Sequence, residues 1–567
     1  MTNNPRIYLW VALALMIWLN YQAWNTDYGP RPEVITTTTR SGNPLPNASA
    51  PGDLANQVPQ APKAATPANA EGVAPSAAAT AAPASPEAET SAAPVIHVHT
   101  DVLDLDISMR GGTIAGADLL KYPKVKGEAA PVRLENEGDP ATLYLLQSGL
   151  TGPGNTPNHL AVFTSAKSDY QMGSAAELRV PLTWKNDQGV AVTKTFVFRQ
   201  GQYHIEVVYD VDNHSDAPWQ VASYAQIVRN DPRTKRSMFN VESYAYHGPA
   251  IWDGHKYRKL DPADRDESHL SIEVTNGWIA APQHHFVSAV IPPRDQQDSF
   301  TLAAAGDQYK LATTGPSRTV APGKTEQFHE TFYVGPKLAS QLEATAPELE
   351  LVADYGHLAI LAKPLFTLLS WVHSVTGNWG LAIIFVTFLL KLAFYPLSEA
   401  SGRSMAKMKQ LSPRIKQLQE TYKDDSEKRG RAMMELYQRE KINPVAGCLP
   451  IIIQIPVFLA FYWVLLESVE MRQAPFMLWI HDLSSRDPLF VLPAIMAAAM
   501  FVQYKLNPAP PDPVQAKVFM FMPLVMSCTF AFFPAGLVLY WVTNTILSIA
   551  QQWNINRRIA ASEARKN

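Results

Sequence analysis

Long apolar runs separated by charged segments dominate this chain after residue 345, and one more apolar run lies near its start. Residues 7–24, IYLWVALALMIWLNYQAW, are about long enough to cross a bilayer as a helix. Arg6 precedes this run, which is long for the apolar part of a cleaved signal peptide, so we interpret residues 1–25 as an uncleaved signal anchor. Five further runs are candidate spans: 379–398, 445–466, 488–505, 518–533 and 535–552. The pattern therefore predicts a polytopic membrane protein with six membrane helices.

Between the anchor and the later spans, the pattern changes to the alternation of β-strands. In VLDLDISMRGG, apolar side chains alternate strictly with polar ones from Leu103 to Met109. The segment KTFVFRQGQYHIEVVYDVDN is interpreted as a hairpin that turns near Gly201, with every second residue from Tyr203 to Val211 on one face. Many short strands with turn signals between them predict a large antiparallel β-sandwich over residues 96–345.

Three further segments connect these parts. Residues 26–95 are rich in Ala, Pro, Thr and Ser and hold almost no large apolar residue, which predicts a disordered linker. In residues 346–378, the stretch 357–377 contains a Pro and several polar breaks, and we expect an amphipathic helix that lies at the membrane interface. Residues 401–443 carry apolar residues at helical spacing and a KDD turn, which predicts a charged helical hairpin. This hairpin either packs on itself in solvent or offers its methionines as an adaptable surface to a partner.

The distribution of positive charge predicts the orientation of the chain. Residues 401–443 carry eleven Lys and Arg and the tail of residues 553–567 carries four, whereas the loop of residues 468–487 carries two. Because Lys and Arg are enriched in cytoplasmic loops, we expect the hairpin and both termini in the cytoplasm and the β domain on the opposite side. The formal net charge of only −3 argues against a nucleic-acid-binding protein.

One charge interrupts the run LAIIFVTFLLKLAFYPL, and it is Lys391. A charge at the bilayer centre costs about 3 kcal/mol on insertion scales. Thr387 precedes Lys391 by four residues and Tyr395 follows it by four, so the three form one polar stripe on a helix that Pro396 then kinks or ends. The alternative is that the long stem of Lys391 bends its ammonium toward the headgroups.

Polar residues in other spans lie at a similar depth to Lys391. Gln454 sits between isoleucines in the span 445–466, and Asn544 belongs to a group of Thr, Asn, Ser and Gln in the later half of the last span. Each of these side chains would be unfavourable against lipid. Together they indicate a wet groove that is open to the cytoplasm and closed toward the far side, although ordinary hydrogen bonds between helices would explain any single one.

Several motifs of the chain resemble one known family. GNWGLAIIFVTFLLKLAFYPL, INPVAGCLPIIIQIPVFLAFYWVL and FMPLVMSCTFAFFPAGLVLYWVTN are similar to the membrane core of the YidC insertases of Gram-negative bacteria, in the Oxa/Alb superfamily. The resemblance covers essentially the whole chain. It implies a large periplasmic β-supersandwich followed by a five-helix membrane core. It also implies an insertase and chaperone of the inner membrane that works alone or beside the Sec translocon.

The resemblance implies roles for individual residues. In the family a basic groove residue, usually Arg, receives polar or acidic parts of a client chain. The matching residue here is Lys391, which keeps the charge but lacks the planar fork of Arg. The predicted client-binding groove consists of Lys391, Thr387, Tyr395, Gln454 and Asn544. The predicted hydrophobic slide that contacts the client consists of Phe458, Met522, Tyr540 and Trp541.

The partners implied by the resemblance are nascent membrane proteins, the Sec translocon and membrane lipids. Ribosome binding is expected to be weak, because the tail after Arg558 is short. We predict no cofactor, no metal and no catalytic residue. The sequence has no Gly-rich ATP-binding motif, so hydrophobic partition and the membrane potential would have to drive client release.

Two other function classes stay open from the residues alone. A transporter or channel with a polar intramembrane site would need polar residues across the whole membrane, whereas the outer halves of the spans are apolar. A sugar-acting enzyme in the β domain could use the pair His284–His285. We expect consecutive residues of a strand to point to opposite faces, which makes this pair a poor metal site.

Overall fold

The computed structural model describes residues 54–60, 93–231, 245–423, 425–440, 449–506 and 513–564. The predicted signal anchor and most of the predicted linker lie outside these residues. The described residues contain a β-sandwich, followed by a set of helices.

Two sheets form the sandwich. The larger sheet has eleven strands, in the order β13-β16-β17-β10-β5-β4-β3-β2-β1-β6 with β18 beside β10, and the smaller has eight, in the order β12-β11-β14-β15-β19-β9-β8-β7. The strands are β1 (Val95–His99), β2 (Leu103–Ser108), β3 (Thr113–Pro123), β4 (Pro131–Asn136), β5 (Tyr144–Thr151), β6 (Asp169–Gln171), β7 (Glu177–Lys185), β8 (Val190–Arg199), β9 (His204–Asn213), β10 (Trp219–Asn230), β11 (Ala250–Trp252), β12 (Tyr257–Lys259), β13 (Ser271–Thr275), β14 (Trp278–Pro282), β15 (Phe286–Ile291), β16 (Gln297–Ala305), β17 (Gln308–Thr314), β18 (Arg318–Val320) and β19 (Lys324–Pro336). Neighbouring strands are antiparallel, apart from the parallel pair β1–β6. The prediction of a large β-sandwich is confirmed.

The predicted alternation places the core correctly. Leu103, Leu105 and Ile107 of β2 are almost fully buried in the apolar core between the sheets. The predicted hairpin is formed by β8 and β9, and Gly201 in its turn adopts a φ of 74°, a conformation that favours glycine. The residues predicted to share one face of its second strand are all buried: Tyr203, Ile205, Val207, Tyr209 and Val211.

The prediction of a disordered linker over residues 26–95 is wrong for one short piece. Leu54–Asn56 form a 3-10 helix, and Leu54 is only 3% exposed. The sequence composition of the linker is polar on average, but one leucine within it finds an apolar contact on the sandwich, which composition does not predict. The strand β1 also begins at Val95, one residue inside the predicted linker.

Nine helices follow the sandwich in the described residues. They are α1 (Ala339–Thr345), α2 (Ala359–Thr376), α3 (Trp379–Ala393), α4 (Tyr395–Thr421), α5 (Ser426–Arg439), α6 (Leu449–Glu467), α7 (Val491–Leu506), α8 (Pro513–Phe530) and α9 (Ala535–Ala564). The five later predicted spans correspond to α3, α6, α7, α8 and α9. The last helix continues to Ala564, twelve residues beyond the predicted end of its span and through most of the predicted tail.

The helices that are long and apolar enough to cross a membrane do not fully coincide with the helices that the sequence pattern predicts to be spans. Among the described residues, α2 is long and apolar enough to cross a membrane, and α3 with the start of α4 qualifies as a pair bent by 61°. Segments of α6, α7 and α8 are apolar but shorter. The interfacial position of α2 and the count of six spans therefore stay predictions.

The bend between α3 and α4 corrects the predicted polar stripe. The helix ends at Ala393, and Tyr395 begins a new helix with Pro396 in its first turn. Pro is well placed in a first turn, since its missing N–H would have no intrahelical partner there. Lys391 and Tyr395 therefore do not lie on one continuous helix. The region of the predicted hairpin contains α4 and α5, and its cytoplasmic position stays a prediction. Asp425 caps α5 by accepting from the main-chain N–H groups of Glu427 and Lys428.

The end of α6 is buried against the sandwich. Lys337 Nζ lies 3.8 Å from Glu467 Oε2, and both side chains are only 2% exposed. Leu466 O accepts hydrogen bonds from His284 Nε2 at 3.0 Å and from His285 Nε2 at 3.2 Å. A buried ion pair and two imidazoles thus join the β domain to a helix of the apolar region.

The prediction that His284 and His285 point to opposite faces is wrong. Their rings stack with centroids 3.7 Å apart, because the pair lies in the turn between β14 and β15, where strand alternation does not apply. Burial lowers the pKa of His284 to about 4, and the nearby Lys337 ammonium acts in the same direction. Within the described part of the chain, no group of three His, Cys, Asp or Glu could hold a metal ion.

Candidate functional site

Three helices bring the predicted polar residues of the apolar region together. Lys391 lies near the end of α3, Gln454 near the start of α6, and Asn544 in the first half of α9. These residues border a recess of about 420 Å³, open space at its mouth included. The recess is lined by Thr387, Leu390, Lys391, Phe394, Leu397, Ser398, Ile453, Gln454, Val457, Tyr540 and Asn544.

Lys391 is held in this recess by its neighbours on α9. Its side chain is 9% exposed, and Nζ donates to Ser548 Oγ at 2.8 Å. Ser548 Oγ in turn donates to the carbonyl of Asn544 at 2.7 Å, and Gln551 Nε2 donates to the carbonyl of Lys391 at 3.2 Å. The ammonium therefore has a fixed position between two helices and is not simply extended toward the surface.

The amide of Gln454 closes a second contact between helices. Its Nε2 donates to Asn544 Oδ1 at 2.5 Å, which joins α6 to α9. Thr387 is 2% exposed and donates to the carbonyl of Ile383 on its own helix at 2.6 Å. The hydroxyl of Thr387 is thus used locally, while the Gln454–Asn544 pair and Lys391 supply the polar surface of the recess.

An aromatic layer closes one side of the recess. Tyr540 stacks between Phe458, with centroids 6.0 Å apart, and Phe461, with centroids 4.5 Å apart. The edge of Phe458 also meets Trp541 at 4.7 Å. Phe458 lies one helical turn and Phe461 two turns beyond Gln454 along α6, while Tyr540 and Trp541 lie one turn before Asn544 along α9, in each case in the direction of the β-sandwich. Tyr540 therefore lines the recess on the side of the sandwich, and Phe394, Leu397 and Ser398 line it on the side of α4.

Two predicted site residues lie away from the recess. Tyr395 does not line it, because the bend before α4 redirects the side chain, and its hydroxyl lies 3.5 Å from Asn554 Nδ2. Met522 lies on α8, 37% exposed, and does not line the recess either. The structure thus groups Lys391, Thr387, Gln454, Asn544 and Tyr540, with Phe458 and Trp541 in the adjoining aromatic layer.

Ser548 is the direct partner of Lys391 and is missing from the predicted groove. It follows Asn544 by four residues on α9, so the two share one face of that helix. Extending the helical stripe from Asn544 would have found it. Phe394 and Ser398 also line the recess, but only the bend between α3 and α4 directs them there.

Within the part of the chain that the structure describes, Lys391 has no acidic partner. Among the described residues its one side-chain hydrogen bond goes to a neutral hydroxyl, and no carboxylate lies within ion-pair distance. A buried cation that is hydrogen-bonded but not neutralised attracts an anionic or strongly polar group. The recess can therefore bind such a group.

Comparison with known families divides the chain into two matched regions. Residues 95–368 match the family described as YidC periplasmic domain, and residues 371–563 match the family described as 60Kd inner membrane protein. The boundary between the two regions falls inside α2, between residues 368 and 371.

Curated relatives match along nearly the whole length. The chain is 45% identical to the membrane protein insertase YidC of Thioalkalivibrio sulfidiphilus, with 98% of this chain and 99% of the relative covered. It is 43% identical to that of Nitrosococcus oceani, with 98% and 99% covered, and 42% identical to that of Methylococcus capsulatus, with 99% and 100% covered. These relatives are named as membrane protein insertases, as the resemblance of the sequence motifs implied.

Proposed function

Because this chain belongs to the YidC family of membrane protein insertases, we propose that it inserts nascent membrane proteins into the bacterial inner membrane through a hydrophilic groove that contains Lys391. The groove is the recess between α3, α6 and α9. A client hairpin enters it from the cytoplasm, with its polar segment in the groove and its apolar segment passing into lipid. The groove shortens the apolar distance that the polar segment must cross.

The unneutralised charge of Lys391 is the observation that carries this proposal. A client carboxylate can pair with the ammonium, which has only Ser548 as a side-chain partner among the described residues. The attraction is strong in a recess of low dielectric and weakens as the client leaves it. Because Lys presents a point charge and no planar fork, it holds a carboxylate with less directional preference than Arg does.

The aromatic closure on one side of the groove favours an insertase over a transporter or channel. The stack of Phe458, Tyr540 and Phe461 separates the polar recess from the sandwich. Along α6, Gln454 lies thirteen residues before Glu467, a rise of about 20 Å. A transporter or channel would need a polar route along that distance, whereas the α6 segment between them is entirely apolar apart from aromatic polar tips.

The proposed topology has six spans, with both termini and the α4–α5 hairpin in the cytoplasm and the β-sandwich in the periplasm. The excess of Lys and Arg in the hairpin supports it. The loop of residues 468–487 is proposed to lie on the periplasmic side. In agreement, Arg472 Nη2 and Gln473 Nε2 each donate to the carbonyl of Pro123 in the sandwich at 2.9 Å.

The client's apolar segment is proposed to leave along the aromatic layer. Phe458 and Trp541 border the groove and continue into the exposed apolar surface of α8, which includes Met522. This surface is the proposed hydrophobic slide. Hydrophobic partition and the membrane potential drive the movement, either without a partner or beside the Sec translocon.

Site-specific crosslinking to a stalled nascent membrane protein tests the proposal. A photoreactive residue is placed at position 391, 458 or 541 in turn. We expect each to crosslink to the client, with position 391 reaching the polar segment and positions 458 and 541 reaching the apolar segment. Leu392 provides the matched control, because it adjoins Lys391 but is 58% exposed on another face of α3.

Crosslinks of equal yield from positions 391 and 392 would contradict a client path through the groove. Crosslinks from position 392 alone would place the client on the lipid-facing side of α3. Either result would leave Lys391 as a structural cation that ties α3 to α9.

A further inference from the structure

Residues 54–60 lie on the outer face of the eleven-stranded sheet. Strand alternation defines this face: Leu146 and Leu311 point into the core between the sheets, so Gln147 of β5 and Lys310 of β17 point away from it. Both are nevertheless buried, at 5% and 8% exposure. The segment from Leu54 to Gln60 packs over them, against β16 and β17.

The sheet contacts the main chain of this segment at every second residue. The carbonyl of Ala55 accepts from His159 Nε2 at 2.9 Å and from Gln147 Nε2 at 3.3 Å. The carbonyl of Pro59 accepts from Thr151 Oγ1 at 2.8 Å. Between them, Gln57 accepts from Lys310 Nζ, through its side-chain oxygen at 3.1 Å and its carbonyl at 3.4 Å. All these donors are side chains of the sheet or its loop, and the segment supplies acceptors.

Hydrogen bonds to Tyr224 orient His159 as a donor toward the segment. Its Nδ1 lies 2.6 Å from the hydroxyl of Tyr224, which also accepts from the main-chain N–H of His159 at 2.9 Å. The Tyr224 hydroxyl therefore donates to Nδ1, which leaves the proton on Nε2, facing Ala55. Burial lowers the pKa of His159 to about 4, so the ring is neutral at physiological pH and this tautomer is retained.

The amide of Gln147 is oriented in the same way. Gln226 Nε2 donates to Gln147 Oε1 at 2.6 Å, which turns the amide nitrogen of Gln147 toward Ala55. Gln226 Oε1 and Gln308 Oε1 on the same face are buried and accept no hydrogen bond within the described part of the chain. Leu54, 3% exposed, supplies the apolar anchor of the segment. The face thus combines one apolar contact with a row of oriented polar groups.

We propose that the outer face around Gln147, His159 and Lys310 is a peptide-binding site, and that residues 54–60 of the same chain are its resident ligand. The site recognises a leucine followed by main-chain carbonyls at alternate residues. It requires few donors from the ligand, so it accepts a proline such as Pro59, which has no N–H. By holding residues 54–60, the site attaches the predicted linker to the β domain well before the sandwich begins.

The test uses the full-length chain in detergent micelles and a fluorescent peptide of residues 51–62, PGDLANQVPQAP. In one variant residues 52–61 are replaced by Gly and Ser of equal number, which empties the site. We expect this variant to bind the peptide with a Kd below about 1 mM, since a tethered segment has an effective concentration of that order. The unaltered chain should bind it about tenfold more weakly or not at all, because its own segment competes.

Two controls identify the contacts. A peptide that carries Leu54→Asp should not bind, and Thr151→Val in the variant with the replaced linker should weaken binding of the normal peptide by removing one donor. A chain that differs only by Leu54→Asp repeats the measurement with a single change, in case the longer replacement impairs folding. It too should bind the added peptide.

Two results would overturn the proposal. One is the absence of peptide binding up to about 1 mM by a linker-replaced chain whose thermal unfolding matches that of the parent. The other is equal binding by the parent and the replaced chain, which would mean that residues 54–60 do not occupy the site in solution.

Discussion

The ammonium of Lys391 donates to Ser548 Oγ at 2.8 Å, across the interface between α3 and α9. The hydroxyl of Ser548 donates to the carbonyl of Asn544, and the side chain of Asn544 accepts from Gln454. One connected polar network therefore links three helices in a region of apolar sequence. Its members are separated by up to 157 residues along the chain.

Lys391→Arg should retain insertion activity, whereas Lys391→Glu should lose most of it for clients with acidic translocated segments. Arg keeps the positive charge, while a glutamate would repel the client carboxylate. Insertion is measured as protease protection of a client added to proteoliposomes. Lys505→Glu is the matched control, because Lys505 is an exposed residue near the end of α7, with its ammonium 4.9 Å from the ring of Phe501, and does not line the recess.

Two results would contradict a role for the charge of Lys391 in the groove. If Lys391→Ala inserts acidic and neutral clients at the parental rate, the charge has no part in insertion. If Lys505→Glu impairs insertion as strongly as Lys391→Glu, the effect arises from the total charge of the protein and not from the groove.

Gln454→Leu and Asn544→Leu should each lower the free energy of unfolding, and the double variant should cost less than the sum of the two. Each single change leaves a polar group without its partner, whereas the double change removes both. Hydrogen bonds between membrane helices average about 0.6 kcal/mol in such cycles, and we expect a coupling energy of that order. Unfolding in mixed micelles measures it.

Thr529→Val serves as the control for this cycle. Thr529 is exposed, and its Oγ1 donates to the carbonyl of Val525 within its own helix. We expect a change below about 0.5 kcal/mol. Strict additivity of the Gln454 and Asn544 variants would show that the two amides act independently in the protein.

Lys337→Met should destabilise the junction between the sandwich and α6 by about 3–5 kcal/mol, because it leaves Glu467 buried without its cation. Lys337→Met combined with Glu467→Gln should recover much of that loss. Thermal unfolding of the full chain measures both. The pair Lys259–Asp354 is the matched comparison, since its side chains are 37% and 25% exposed and Lys259→Met should cost at most about 1 kcal/mol. Equal losses of stability from Lys337→Met and Lys259→Met would show that burial of the ion pair does not determine the cost of removing its cation.

Acid should destabilise the parent more than a His284→Gln variant. The unfolded His284 binds a proton below about pH 6.5, but the folded one, whose pKa is lowered to about 4, binds it only near that pH. Between these values the unfolded state carries more protons, so the stability of the parent falls as the pH falls. Gln can still donate to Leu466 O and does not titrate.

The size of the expected difference in stability follows from the interval between the unfolded and folded pKa values of His284. The free energy of unfolding of the parent should fall by about 3 kcal/mol relative to His284→Gln between pH 7 and pH 4. Unfolding midpoints at several pH values measure the difference between the two chains, which cancels the contributions of groups distant from His284 and its stacked neighbour His285. Parallel curves for the two chains would show that His284 does not titrate differently in the folded state.

Much of the architecture followed from local patterns in the sequence. Alternation with a period of two residues located β2 and the β8–β9 hairpin, because a strand directs successive side chains to opposite faces whatever its neighbours are. Apolar length located the later helices, and polar residues in apolar runs selected Lys391, Gln454 and Asn544. These inferences depend on a residue's near neighbours along the chain, and the sequence contains that information directly.

The tertiary structure decided what depends on residues that are distant in sequence. The bend after Ala393 removed Tyr395 from the stripe, and the packing of α9 against α3 selected Ser548 as the partner of Lys391. A turn stacked His284 on His285. One buried leucine and hydrogen bonds from the sheet attached part of a polar linker to the sandwich. Periodicity assigns a side chain to a face but not to a neighbour, because the neighbour is set by how separate elements pack together.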